Sequence, residues 1–391
     1  VREATSRPAW AEVDLDAIRH NASVLAELVH PAELCAVVKA NGYGLGAEAI
    51  AAAALEGGAV RLAVALVDEG VALREAGISP ADAPVLLLSE PPADAMHDAV
   101  VHHLTPTVYT VPGVEALAAA VGHRRPIDVE VKVDTGMHRV GASPADVAEV
   151  ARRVHHEQGM VFSGLWTHLA VADEPDDPYT ARQLEQFEDV RDALARQGLV
   201  PDYVHAANSA GAIAHPAARY DMVRCGIALY GYAPSPAVAG LVDLKPALAL
   251  KAQASFVKEV EAGERLSYGL RYQAPKRTVI ATVPLGYADG VPRRVFDVGL
   301  PALVGGRRRP LAGRVTMDQL LVDCGPDAEV RAGDEVVLLG RQGREQVTAE
   351  EWADALGTIN YEVLCGIGPR VPRVYVGDRA PAAADVHQGV L

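Results

Sequence analysis

The chain reads as an α/β protein: an N-terminal (β/α)8 TIM-type barrel followed by a C-terminal domain built mainly of β-strands. Three observations predict this. Through the first 230 residues, short apolar runs rich in Val, Ile, Leu and Ala alternate with amphipathic stretches, the pattern of a parallel sheet wrapped by helices. Beyond Pro236 the runs are separated by Gly- and Pro-containing turns, with a single good helix among them. At 391 residues and 50% hydrophobic content, the chain exceeds what one core usually organises.

Taken in order, residues 1–14 are expected to hold a strand that packs with the C-terminal domain. Residues 15–240 form the barrel. Its strands are read at Leu34–Val38, Arg61–Ala65, Val85–Leu88, Thr105–Val108, Ile127–Val133, Val161–Thr167, Tyr203–Ala206 and Asp221–Val223, each a short apolar run bounded by turn signals. Helical periodicity marks Gly46–Glu56, Asp68–Ala76, Pro144–His156 and Tyr179–Gln197 between them. The boundary is expected within Tyr232–Lys245, where Pro234, Pro236 and Gly240 cluster without periodicity. Residues 241–391 then carry strands at Ala247–Val260, Thr278–Pro284, Gln319–Asp323, Glu335–Leu339 and Arg373–Val376, with one helix at Ala349–Leu356.

Composition excludes several function classes. With 36 basic against 51 acidic side chains and a net charge of −15, the surface does not suit nucleic-acid phosphates. No apolar run approaches a membrane span, and Val1–Trp10 lacks the apolar core of a signal peptide, so the expected location is the cytoplasm. Cys35, Cys225, Cys324 and Cys365 show no metal-ligand or redox spacing and read as small buried apolar residues.

Barrel enzymes place their chemistry at the C-terminal ends of the strands. The polar residues there are Lys39 after the first strand, Lys132 and Arg139 in and after the fifth, and His168 after the sixth. Asn208 and Ser209 follow the seventh, and Arg224 and Gly226 the eighth. A lysine that ends the apolar run LCAVV is partly desolvated, which lowers its pKa toward a range where it can act as base or nucleophile. The Asn208-Ser209 and Gly226-Ile227 loops offer a hydroxyl and backbone N–H groups, equipment for a phosphate; Ser209 reads equally well as a helix cap.

AVVKANGYGLG, VEVKVDTGMHRVG, HAANSAG, RCGIALYG, RLSYGLRY, LGYADG, GRVTMDQ and TINYEVLCGI occur in this order. Together they make the chain, from about Trp10 to Val376, closely resemble the alanine racemases, pyridoxal-phosphate (PLP) enzymes of fold type III. The resemblance implies that Lys39 bonds to the cofactor, that Tyr43, Ser209, Gly226, Ile227 and Tyr361 surround its phosphate, with Asn208 beside them, and that Arg224 faces its pyridine nitrogen. It implies that His168 lies beside the ring, and that Arg139 and Met317 contact substrate. Lys132 resembles a lysine carried in the family as a CO2-derived carbamate, an anion able to pin Arg139; an unmodified lysine paired with Asp134 is the alternative. Asp173, Tyr287, Arg293, Arg314 and Ile359 match entrance positions. Thr316 stands where many relatives have Cys.

Racemisation removes a proton from one face of Cα and delivers one to the other, so two different groups are needed. The resemblance assigns these roles to Lys39 and Tyr268. Tyr268, Met317 and Asp318 reach the partner's site in the family, which implies a head-to-tail homodimer. The implied substrate is alanine, and the implied role is D-alanine supply for cell-wall peptidoglycan. A broad-specificity or serine-preferring racemase shares nearly every motif. A decarboxylase of the same fold is expected to place a carboxylate at the pyridine nitrogen, where this chain has Arg224. A single-barrel PLP-binding protein would lack the region after Lys245.

Overall fold

A computed structural model of the chain describes residues 7–122 and 124–378; residues 1–6 of the expected N-terminal strand region lie outside the described residues. The chain divides into two units. One comprises Ala17–Gly42 and Ala47–Pro246; the other comprises the described residues up to Asp16, Tyr43–Gly46, and those from Ala247 onward.

The first strand is β1 (Ala9–Asp14), followed by α1 (Leu15–Val29). The barrel strands are β2 (Glu33–Val37), β3 (Arg61–Val64), β4 (Val85–Leu87), β5 (Thr107–Val108), β6 (Ile127–Lys132), β7 (Met160–Trp166), β8 (Tyr203–His205) and β9 (Met222–Cys225). Helices α2 (Ala47–Glu56), α3 (Val67–Glu75), α4 (Met96–Val101), α5 (Val111–Val121), α6 (Val147–His156), α7 (Tyr179–Ala195) and α8 (Ser209–Ala214) alternate with them. The strands form two parallel four-stranded sheets, β4-β3-β2-β9 and β5-β6-β7-β8. Hydrogen bonds join the sheets at both seams: the Leu87 amide to the Thr105 carbonyl (2.9 Å), and the Asp221 amide to the Val204 carbonyl (3.0 Å). The barrel is thereby closed.

Strand β6 shows why the inside is polar. Val129 and Val131 join the buried cluster that includes Val114, Leu117, Val147, Val150 and Val154 of α5 and α6. Because side chains alternate along a strand, Glu130 and Lys132 then face the barrel interior. Both are almost fully buried.

The second unit is β-rich. Its strands are β10 (Leu248–Gln253), β11 (Phe256–Val260), β12 (Arg265–Leu266), β13 (Tyr272–Gln273), β14 (Thr278–Val283), β15 (Pro301–Val304), β16 (Arg307–Pro310), β17 (Leu320–Gly325), β18 (Glu335–Gln342), β19 (Glu345–Val347) and β20 (Arg373–Val376). A seven-stranded sheet runs β16-β15-β18-β10-β1-β20 with β19 on β18, beside a three-stranded β11-β14-β17 sheet and the β12-β13 hairpin. β1 pairs antiparallel with β10 and parallel with β20.

Three expectations need correction. The run Ala247–Val260 is two strands in different sheets, because the chain changes partner at Ala254-Ser255: Ala254 donates to the Asp334 carbonyl (2.9 Å) and Ser255 to that of Thr282 (2.8 Å). Helix α9 (Ala349–Leu356) is followed by a second, α10 (Asn360–Cys365), too short to show periodicity and without a side-chain cap. Cys365 is exposed, whereas Cys35, Cys225 and Cys324 are buried. Among the described residues no helix is long and apolar enough to cross a membrane.

Candidate active site

The C-terminal ends of the barrel strands gather the predicted cations. Lys39 follows β2, Lys132 ends β6, Arg139 lies in the loop after it, His168 follows β7 and Arg224 lies in β9. Lys132 is buried, and its pKa is pushed down to about 7 by burial and then by the charges of Arg224 and Arg139, against the pull of Asp134. Its ammonium position lies 4.4 Å from the centre of the Trp166 ring. Burial, followed by Arg224, Lys132, Arg139 and Lys39, holds His168 well below the ordinary histidine range, so its ring is neutral.

Arg224 is buried and has no carboxylate in hydrogen-bond contact among the described residues. One terminal nitrogen meets His205 Nδ1 at 2.5 Å; the other donates to the Thr167 and Ala206 carbonyls (2.8 and 3.0 Å) and reaches His168 Nδ1 at 3.4 Å. The guanidinium lies over Trp166, 4.6 Å from the ring centre. Burial lowers its pKa to about 10, so it remains a cation at neutral pH.

The loops after β8 and β9 are drawn together by Ser209, whose Oγ accepts from the Gly226 and Ala228 amides (2.9 and 3.4 Å). Asn208, not Ser209, caps α8 by accepting from the Gly211 amide (2.9 Å). Ser209, Gly226 and Ile227 are buried. Asp173, half-buried in the loop after β7, is anchored by Ser235 Oγ donating to its carbonyl (2.6 Å).

The β-rich unit carries the remaining positions. Tyr43 and Tyr361 lie with ring centres 6.2 Å apart. Tyr268 stands between β12 and β13, 72% exposed, and Met317 and Ile359 are exposed as well. Ser267, which precedes it, has φ +60° and ψ −178°, a region that glycine alone enters freely; its hydroxyl donates to the Arg314 carbonyl (2.7 Å). Tyr287 is hydrogen-bonded to the Thr316 loop through its amide (3.0 Å), Arg293 is exposed, and Arg314 lies 3.7 Å from Asp297. Thr316, in place of the common Cys, closes its own turn: its hydroxyl donates to the Gln319 carbonyl (2.8 Å) and accepts the Gln319 amide (3.2 Å).

Several residues that the strand-end reading did not select belong to this arrangement. Gln183 of α7 accepts the Ala170 amide (2.8 Å) and donates to the His168 carbonyl (3.1 Å), holding the loop that bears His168. Glu69 of α3 accepts the Ala40 amide (2.5 Å), next to Lys39, and the amides of Ala65 and Leu66 (2.8 and 3.1 Å). Glu130 and His205 stand behind Arg224. Both lie inside quoted motifs, and the available signal was period two: Glu130 shares a strand face with Lys132.

The mouth is therefore rich in cations. Lys39, Lys132, Arg139 and Arg224 all bear on His168, while Asp134 spends one oxygen on the Gly136 and His138 amides (2.9 and 3.0 Å). This donor set fits an anionic ligand that also offers a ring nitrogen and a carbonyl for a lysine, as pyridoxal phosphate does.

Comparison with known proteins points to the alanine racemases. The alanine racemase N-terminal domain family matches residues 13–234 and the C-terminal domain family residues 247–375. The alanine racemase of Symbiobacterium thermophilum is 48% identical over 96% of this chain and 98% of its own. That of Carboxydothermus hydrogenoformans is 46% identical, covering 95% and 100%. Among solved structures, the alanine racemase from D-cycloserine-producing Streptomyces lavendulae superposes with a TM-score of 0.87 at 40% identity, covering 95% and 98%. The Bacillus anthracis enzyme with bound L-Ala-P gives 0.89 at 36%, covering 96% and 97%.

Proposed function

The chain belongs to the alanine racemase family and interconverts the two enantiomers of alanine, and we propose that it does so with Lys39 and Tyr268 as the two proton-handling groups on pyridoxal phosphate. The observation that carries this reading is the cation-rich mouth with a buried guanidinium, Arg224, where a decarboxylase would be expected to hold a carboxylate.

Lys39 would bond the cofactor. Ser209, Gly226, Ile227, Asn208, Tyr43 and Tyr361 would surround its phosphate, Arg224 would face its pyridine nitrogen, and His168 would lie beside the ring. When bound, the cofactor supplies the electron sink that makes the substrate Cα–H acidic. Lys39 Nζ handles the proton of the D-enantiomer and the Tyr268 phenolic oxygen that of the L-enantiomer. Arg224 stays protonated near neutrality, so it donates a hydrogen bond without giving up a proton. Arg139 and Met317 receive the substrate, and Asp173, Tyr287, Arg293, Arg314 and Ile359 line the approach.

Lys132 is suited to carbamate formation, because a pKa of about 7 leaves a large neutral fraction, the form that attacks CO2. The exposed apolar side chains of Tyr268, Leu270, Tyr287, Met317 and Ile359 support a head-to-tail homodimer that covers them. We place the enzyme in the cytoplasm, supplying D-alanine for peptidoglycan.

The test is loss of optical rotation for a panel of amino acids including alanine and serine, with wild type and Lys39→Ala. Alanine is expected to be racemised fastest and Lys39→Ala to be inactive. Racemisation by Lys39→Ala at the wild-type rate would sink the assignment.

A further inference from the structure

Behind Arg224 lies a buried chain of three groups carried by strands β6, β8 and β9. Glu130 Oε2 lies 2.8 Å from His205 Nε2, and His205 Nδ1 lies 2.5 Å from the Arg224 guanidinium. Glu130, His205 and Arg224 are all almost fully buried, at 1%, 0% and 3% exposure. The ring is held in plane as well: Trp166 stacks on it with centres 5.6 Å apart and planes 13° from parallel.

The two neighbours of the imidazole dictate where its proton sits. A carboxylate only accepts, so Nε2 must carry hydrogen toward Glu130; a guanidinium only donates, so Nδ1 must offer its lone pair. A proton on Nδ1 would point at the N–H groups of Arg224. Burial, outweighing the opposing pull of Glu130, keeps His205 neutral. The barrel makes room for this carboxylate at one position. Gly164 is the cross-strand partner of Glu130, and a Cβ there would lie 2.5 Å from Glu130 Cγ.

We propose that Glu130 is a positioning residue for racemisation: it fixes His205 as the neutral Nε2–H tautomer, whose Nδ1 holds the Arg224 guanidinium in place. The functional half rests on Arg224 serving the cofactor, as proposed above. The tautomer half does not. Glu130 is also the counter-charge of a guanidinium that has no carboxylate in direct contact among the described residues, relayed through one neutral ring.

Nitrogen-15 NMR of the histidine-labelled holoenzyme tests the tautomer, with the His205 signals identified by their loss in His205→Asn. A protonated Nε2 and an unprotonated Nδ1 are expected from pH 6 to 9; a doubly protonated ring or an Nδ1–H ring overturns the proposal. Glu130→Gln can still accept from Nε2–H, so it is expected to keep the tautomer and lose less than about tenfold in kcat. Glu130→Leu offers no acceptor. It is expected to give a mixed ring and to lower kcat by about 10- to 100-fold, with the KM for alanine changed only a few-fold. A glutamine variant as slow as the leucine variant, with the tautomer intact, also overturns it. If the leucine variant does not fold, the wild-type and glutamine measurements decide. Racemisation by Lys39→Ala would refute the activity reading while leaving the tautomer result standing.

Discussion

Lys132 is a residue whose chemistry is set by place. On a helix surface it would be an ordinary ammonium; at the end of β6, buried with Arg224 and Arg139 near it, its pKa falls to about 7 from 10.5. Between those values the unfolded chain binds more protons than the folded one, so stability rises with pH across that window. The penalty of charging Lys132 is fully present below about pH 7 and is relieved as pH climbs toward 10.5. Lys132→Met lacks the penalty, so in CO2-free buffer its stability gain over wild type should be largest below pH 7 and shrink by pH 10. Thermal melts across that range check it; a gain that does not vary with pH would show that Lys132 titrates normally. Residues like Lys132 and Arg224 were legible because a polar side chain closing an apolar strand is conspicuous. Glu130 and Glu69 were not, since their roles lie in contacts with residues far along the chain, Glu130 with His205 and Glu69 with Ala40.

At the scale of elements, the segment after Lys39 shows what a motif conceals. In KANGYG, which enters the sequence reading only as part of a motif, Ala40, Asn41, Gly42 and Tyr43 all have left-handed φ values of 54°, 52°, 62° and 54°. Asn and Gly tolerate that region, but Ala and Tyr enter it at about 1–2 kcal/mol each. Nothing in local propensity predicts it. The Ala40 amide is held by Glu69 at 2.5 Å, which ties the end of β2 to the start of α3 and over-determines the strained residue beside Lys39. Ala40→Gly should relieve the strain while loosening the unfolded chain less than it helps the folded one. The variant is expected to be as stable as wild type or up to about 1 kcal/mol more so, with a lower kcat because Lys39 is held less firmly. Chemical denaturation and steady-state kinetics check the pair; a clear loss of stability would mean that the turn is not strained.

For the whole molecule, the eight-strand count and the change of rhythm after Pro236 gave the fold class, because both are local patterns. The choice of β10 and β20 as the partners of β1 and its register on them, and the grouping of Tyr43–Gly46 with the β-rich unit, depend on contacts across more than two hundred residues and leave no periodic trace. The same limit applies to assembly. Tyr268 sits on an exposed hairpin of one unit and Lys39 at the barrel mouth of the other. If each site joins Lys39 of one copy to Tyr268 of the other, a Lys39→Ala chain and a Tyr268→Phe chain are each inactive alone but complementary together. In a mixed dimer one site carries both substitutions and the other carries neither. Random exchange makes half the dimers mixed, and each of these holds one intact site, so activity should return to about a quarter of the wild-type value. Affinity tags on the two variants verify exchange, and the recovered rate is read against the mixing ratio. Full exchange without recovery would mean that each site is built within a single chain, and that the exposed face around Tyr268 serves some purpose other than completing a neighbour's site.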